Sequence, residues 1–112
     1  MEYNKLVRDK IPEILADKGM KVVFRSLSDE EMKTALAHKL LEEVEELLMS
    51  DTIDEAVEEL ADVYEVLDAI KLSMPFIGLG DRVSMMLKKK REEKGAFYKH
   101  YFLISAEEAE NG

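Results

Sequence analysis

Cysteine and tryptophan are absent from this chain, and proline occurs only twice. Without cysteine the chain can form neither disulfide bonds nor thiolate metal sites, so any metal would need oxygen or nitrogen ligands. Long apolar runs are also missing, because no stretch approaches the ~20 residues that cross a bilayer. The opening Met-Glu-Tyr-Asn-Lys lacks the apolar segment of a signal peptide. We therefore expect a cytoplasmic protein that does not enter a membrane.

Basic side chains are in the minority: 16 Lys and Arg stand against 25 Asp and Glu, for a formal net charge of −9. Such a chain repels the backbone of nucleic acids, so we expect no nucleic acid polymer as a partner. A small phosphorylated ligand is compatible with this charge if metal ions bridge the like charges. The hydrophobic fraction of 46% excludes a disordered composition, and 112 residues suggest a single domain. We assign that domain to residues 1–104 and a polar tail to 105–112.

Start and stop signals predict four helices and an all-α fold. Ser28 followed by Glu31 is a capping box at the start of the second helix. Pro75, Gly78 and Gly80 end the third. The predicted helices cover residues 11–18, about 29–49, about 53–72 and about 81–94. The expected architecture is an antiparallel helical hairpin with additional helices packed on it.

Two segments outside these helices are predicted to be extended. Residues 20–25 are β-prone, and residues 96–104 are rich in aromatic side chains. His100 lies in the second segment and is expected to pack there, whereas His38 is interpreted as structural or exposed. The glycines Gly19 and Gly95 are expected to end the first and fourth helices.

The second predicted helix has an acidic residue within its apolar stripe. At ~100° per residue the stripe consists of Leu36, Leu40, Val44 and Leu47. Glu43 lies about 60° from Leu40, inside the apolar arc, and Glu46 lies on its shoulder. A carboxylate in an apolar arc is costly unless it is paired, protonated or bound to metal.

The third predicted helix repeats this arrangement. Its apolar stripe is predicted to consist of Ile53, Ala56, Leu60, Tyr64 and Leu67. Glu59 lies about 100° from Leu60, between Val66 and Ile70, and Asp62 lies one step further round. Each of the two helices therefore carries an i, i+3 pair of carboxylates on one face.

In an antiparallel hairpin the two acidic pairs are level, because each is centred ~12 Å of helix rise from a turn near Thr52. Four clustered carboxylates without as many basic partners repel one another. A hard cation such as Mg²⁺ or Mn²⁺ relieves that repulsion and prefers oxygen ligands. The residues alone leave another interpretation open, since acidic runs on helices are commonly solvated faces with no ligand.

Four segments resemble motifs of the MazG-like, all-α nucleotide pyrophosphohydrolases. Residues 39–47 (KLLEEVEEL) look like the first motif of that family, and residues 58–63 (EELADV) look like its second, Glu-x-x-Asp. Residues 3–12 (YNKLVRDKIP) are similar to a phosphoribosyl-ATP pyrophosphohydrolase-like subgroup. Residues 94–97 (KGAF) resemble the Arg-Gly-Gly-Phe ending of that subgroup, with alanine in place of one glycine.

This resemblance implies that the chain hydrolyses a nucleoside triphosphate to the monophosphate and pyrophosphate. The implied metal ligands are Glu43, Glu46, Glu59 and Asp62, with Glu42 as a candidate fifth acid. The resemblance also implies a four-helix bundle that is completed by dimerisation, in a homodimer or a homotetramer.

Candidate roles follow for the remaining charged residues. Glu46 or Glu42 could take the proton of the attacking water as general base. The candidate phosphate-binding residues are Lys39, Arg8, Lys10 and Lys94. Each has a simpler interpretation as well: Lys39 can pair with Glu43 at i+4, and the others can be surface charges.

Three alternatives compete with this function. Residues 64–67 (YEVL) lack the histidine that follows Glu-x-x-Asp in the histidine enzymes proper, which leaves phosphoribosyl-ATP as an alternative substrate only. A di-iron carboxylate bundle needs Glu-x-x-His on two helices, but Ala35 and Phe97 stand three positions before the two histidines. A non-catalytic helical interaction module, whose acids only solubilise it, is the third.

Overall fold

All regular structure in the described part of the chain is helical. The computed structural model describes residues 4–73 and 79–109. The helices are α1 (Ile11–Asp17), α2 (Asp29–Leu48), α3 (Ile53–Ser73) and α4 (Leu79–Lys94). The described residues contain no strand, so the prediction of an all-α protein is confirmed. The predicted stop signals Pro75 and Gly78 lie outside the described residues, as do Tyr3 of the opening motif and residues 110–112 of the predicted tail.

Local signals at Ser28, Gly19 and Gly95 set helix ends, as predicted, whereas Gly80, predicted to end the third helix, lies in the first turn of α4. The Ser28 side chain accepts a hydrogen bond from the Glu31 amide at 3.2 Å, and the Glu31 carboxylate accepts one from the Ser28 amide at 3.0 Å. This reciprocal capping box satisfies two amides that the first turn of α2 leaves unpaired. Gly19 and Gly95 follow the ends of α1 and α4 with φ of +84° and +82°, a backbone region that only glycine enters at little cost.

The chain divides into two units, Met1–Ile77 and Gly78–Gly112. The first unit contains α2 and α3, which the short connection of residues 49–52 joins and which pack on each other as an antiparallel hairpin. Its buried apolar residues are Leu36, Val63 and Val66. The second unit contains α4 and the aromatic segment that follows it. Among the described residues, no helix is long and apolar enough to cross a membrane.

The face of α3 that packs on α2 differs from the predicted stripe. Val63 and Val66 are buried, whereas Ile53 of the predicted stripe is 82% exposed. The packed face is rotated by roughly 90° from Leu60. The prediction was wrong because α3 carries apolar residues on two adjacent sides, and periodicity cannot tell which side meets α2. The side left exposed, the α3 outer face, consists of Ile53, Val57, Leu60, Tyr64 and Leu67.

The two segments predicted to be extended form no strand in the described residues. A β-prone stretch needs a neighbouring strand to pair its backbone groups, and the described part of this chain offers none to residues 20–25 or 96–104. His100 is exposed, with φ of +61°, so the prediction that it packs was wrong. His38 is exposed, in agreement with one of the two predicted alternatives.

Candidate metal centre

Three of the predicted metal ligands lie together between α2 and α3. Glu43 and Glu46 come from successive turns of α2, and Glu59 comes from the packed face of α3. One carboxylate oxygen of each lies within 4.8 Å of the others. The antiparallel hairpin therefore brings the acidic pair of α2 level with Glu59, the first acid of the α3 pair.

Glu43 is the buried member of this carboxylate triad, which we define as Glu43, Glu46 and Glu59. It is 4% exposed, next to the apolar stripe of α2, whereas Glu46 is exposed and Glu59 is half-buried. One basic partner reaches Glu43: the Lys39 ammonium lies 3.1 Å from its Oε1 within α2. The predicted i, i+4 pair therefore exists. Burial lowers the pKa of Lys39, but the carboxylates around it, Glu43 foremost, raise it by more.

Two oxygen atoms of the triad are buried without a hydrogen-bond partner. They are Oε2 of Glu43 and Oε2 of Glu59. A buried carboxylate oxygen that accepts no hydrogen bond is unfavourable, because burial has removed its water and nothing replaces it. Lys39 contacts the other oxygen of Glu43, so it does not relieve this cost. A proton or a cation between these carboxylates would give the two oxygens a partner.

The pKa of Glu59 is shifted by its neighbours in the triad. Hydrogen bonding with the carboxyl groups of Glu43 and then of Glu46, followed by desolvation and by the negative charge of both, raises the pKa of Glu59 to about 7. A proton on Glu59 turns it into a donor to its neighbours, whereas the ionised group only repels them. One ammonium group, that of Lys39, does not balance the three carboxylates of the triad.

Asp62, the fourth predicted ligand, has a different partner. It lies on α3 three residues after Glu59, and its Oδ1 accepts a hydrogen bond of 2.6 Å from Nη2 of Arg8. It is not among the acids whose oxygens cluster within 4.8 Å. The guanidinium comes from the segment before α1, 54 positions earlier in the sequence.

The other predicted site residues are more widely spread. Glu42 is half-buried, with its Oε1 3.8 Å from the Lys39 ammonium. Lys10 is exposed at the N-cap of α1. Lys94 is exposed in the last turn of α4, which belongs to the second unit.

The donor set of the triad fits a hard divalent cation. Carboxylate oxygens are the preferred protein ligands of Mg²⁺ and Mn²⁺. Such an ion would supply the partner that the two buried oxygens of Glu43 and Glu59 lack. Sequence reasoning found all three residues but did not pair Arg8 with Asp62. The sequence offers one signal for such an ion pair, the excess of acids over nearby bases, and this excess does not identify which base pairs with Asp62.

Comparison with known proteins gives little further information. The chain is 52% identical over 54 residues to an uncharacterized protein of Mycolicibacterium smegmatis. This match covers 48% of the chain and 55% of that relative, so the chain spans about half the length of the protein it matches. No protein-family model and no solved structure matches the chain.

Proposed function

We propose that this protein is a Mg²⁺-dependent nucleotide pyrophosphohydrolase that converts a nucleoside triphosphate to the monophosphate and pyrophosphate. Water adds to the α-phosphorus, the bond from that phosphorus to the bridging oxygen breaks, and pyrophosphate leaves. The proposal combines the MazG-like motifs with the geometry of the carboxylate triad. Mn²⁺ is the expected substitute ion.

The observation that carries the proposal is the pair of unpartnered buried oxygens on Glu43 and Glu59. An acidic surface that only solubilises a helix keeps its carboxylates in water, where they need no partner. Here one carboxylate is 4% exposed, and it comes from α2 while its neighbour comes from α3. Convergence of the buried Glu43 and the half-buried Glu59 from two helices favours a cation-binding site over a solvated face.

Glu43, Glu46 and Glu59 would hold the metal, with Asp62 as the fourth candidate ligand. The bound cation would neutralise phosphate charge and polarise the attacking water. Glu43 and Glu59 would hold their oxygens in place because helix packing restricts both side chains. Glu46, at the exposed edge, would lie between the buried oxygens and the solvent from which a nucleotide arrives.

The general base is proposed among the less buried acids. Glu46 is exposed and Glu42 is half-buried, so water reaches both. A carboxylate oxygen of either residue would take the proton of the attacking water. Oε1 of Glu42 also lies 3.8 Å from the Lys39 ammonium.

Phosphate charge would be met by the basic residues nearest the triad. Arg8 is bonded to Asp62 and is partly exposed, so its guanidinium has further N–H donors for an anion. Lys39 is largely committed to Glu43 and would act mainly by holding that side chain. Lys10 and Lys94 stay as candidates for the leaving pyrophosphate.

We also propose that the chain forms a homodimer or homotetramer in which the α3 outer face is covered. Five apolar side chains at spacings of three and four residues follow this face and are exposed. This spacing is that of helices that pack in bundles. A second copy of the hairpin would complete a four-helix bundle.

The proposal is tested by incubating the protein with each nucleoside triphosphate and Mg²⁺, and by identifying the products by mass. We expect a monophosphate and pyrophosphate from at least one substrate. Glu59→Gln should lower this activity by at least about 100-fold, because even the residues that support metal ligands are worth about 10- to 100-fold.

Glu58→Gln is the matched control, since Glu58 is the exposed neighbour of Glu59 and lies outside the triad. It removes the same charge and should leave turnover within about twofold of the native protein, since isolated surface changes have small effects. Retained activity in Glu59→Gln would remove that residue from the site. Absence of metal binding together with absence of pyrophosphate release would reject the enzyme and leave the interaction module.

A further inference from the structure

The Arg8–Asp62 ion pair joins the segment before α1 to the acidic face of α3. Nη2 of Arg8 lies 2.6 Å from Oδ1 of Asp62, and the two side chains are 55% and 36% exposed. The Arg8 backbone is held at the start of α1, where its carbonyl accepts a hydrogen bond of 3.1 Å from the Ile11 amide. The guanidinium therefore reaches Asp62 from a fixed point.

The position of Asp62 makes this pair relevant to the carboxylate triad. Asp62 follows Glu59 by three residues, so the two carboxylates lie on adjacent turns of one helix face. The Arg8 charge also interacts with that of Glu43: Asp62 above all, and then Glu65 and Glu43, raise the pKa of Arg8. Arg8 therefore supplies positive charge to the same acidic region that a divalent cation would enter.

We propose that Arg8 and the divalent cation compete for Asp62. The guanidinium holds this carboxylate, so that three acids are grouped and the fourth is paired with Arg8. A cation that binds to the triad gains Asp62 as a further ligand only when Arg8 releases the Asp62 carboxylate. This inference rests on the metal site of the proposed function and adds a regulation of that site.

The ion pair has the properties that such an exchange requires. Both side chains are partly exposed, and exposed ion pairs are weakly held because water solvates the separated charges well. The hydrogen bond between Arg8 and Asp62 joins one guanidinium nitrogen to one carboxylate oxygen. The released guanidinium carries a planar set of donors that suits a phosphate of the arriving nucleotide. Release of Asp62 and capture of an anionic substrate would then be coupled.

The test measures Mn²⁺ binding to the full chain by electron paramagnetic resonance, without any nucleotide. Arg8→Gln frees Asp62 and should tighten Mn²⁺ binding by roughly two- to fivefold, the factor that corresponds to an exposed pair worth up to about 1 kcal/mol. Asp62→Asn should weaken binding. In the Asp62→Asn background the further change Arg8→Gln should have little effect, because the contested carboxylate is gone.

Arg25→Gln is the matched control. Arg25 forms an exposed ion pair of 2.7 Å with Glu31 at the start of α2, and neither residue belongs to the triad. Its loss removes the same charge and should leave Mn²⁺ affinity unchanged. Arg8→Lys keeps the charge beside Asp62 and should bind Mn²⁺ less tightly than Arg8→Gln. Thermal unfolding of each variant confirms that the fold is retained.

The possible failures are distinguishable. If the native chain binds Mn²⁺ but Arg8→Gln binds it equally or more weakly, the competition is rejected and the metal site stands. If Arg8→Gln tightens binding equally with and without Asp62, its effect is general electrostatics, and the competition is again rejected. If the native chain binds no Mn²⁺, the proposed function fails and the competition fails with it.

Discussion

Ionisation of Glu59 links the stability of this protein to pH. The folded state raises the pKa of Glu59 from 4.5 to about 7, so between these values the folded chain binds more protons than the unfolded one. The free energy of unfolding therefore falls as pH rises from 4.5 to about 7. We predict that Glu59→Gln, in the presence of a chelator, unfolds at a higher temperature than the native chain at pH 8 but at nearly the same temperature at pH 4.

Calorimetry of both proteins across this pH range checks the prediction. Glu58→Gln serves as the control, because it removes a neighbouring carboxylate that is outside the triad. If the difference in unfolding temperature between Glu59→Gln and the native chain stays constant from pH 4 to pH 8, the carboxylates of the triad do not repel one another in the folded state. Saturating Mg²⁺ should remove the advantage of Glu59→Gln, since a bound cation stabilises the ionised ligands.

Individual acids of the site were predictable from the sequence where local geometry decides. The burial of Glu43 follows from its angle within the apolar arc of α2, and the structure confirms it. The Arg8–Asp62 contact was not predictable, because the residues lie 54 positions apart. Arg8 lies in a segment without helical periodicity, so no local rule predicts where its side chain points.

At the scale of elements, the helices were predictable and the face of α3 was not. Caps and glycines act over a few residues, so Ser28, Glu31, Gly19 and Gly95 mark helix ends without tertiary information. Which side of α3 is buried depends on its partner. The packed side carries Glu59 together with Val63 and Val66. The packed face of α3 is therefore rotated away from the predicted stripe, and this rotation also places Glu59 toward α2.

Replacement of a valine on that packed side tests the corrected face. Val66 is 7% exposed, so Val66→Ala removes buried methyl groups and leaves a cavity. We predict a loss of about 2 kcal/mol in the free energy of unfolding, measured by urea denaturation. Val23→Ala is the matched control, because Val23 is 89% exposed and should lose less than about 0.5 kcal/mol. Equal losses in the two variants would contradict this assignment of the core.

At the scale of the whole molecule, little apolar surface is buried. Among the described residues the buried apolar set is Leu36, Val63 and Val66, while the α3 outer face stays exposed. Small domains are marginally stable because they bury a small fraction of their surface, and contiguous exposed apolar patches commonly mark protein interfaces. Both considerations favour association of the hairpin with a further helical surface, which we propose to be a second copy of the hairpin.

A charge placed on the α3 outer face tests this association. Val57 belongs to that face and is 61% exposed, so a second copy would desolvate a glutamate there without a partner. We predict that the native chain sediments as a dimer or tetramer and that Val57→Glu sediments as a monomer. Val23→Glu adds the same charge outside the face and should sediment as the native chain does. An oligomer that survives Val57→Glu would assign its interface to another surface, and a monomeric native chain would reject the association.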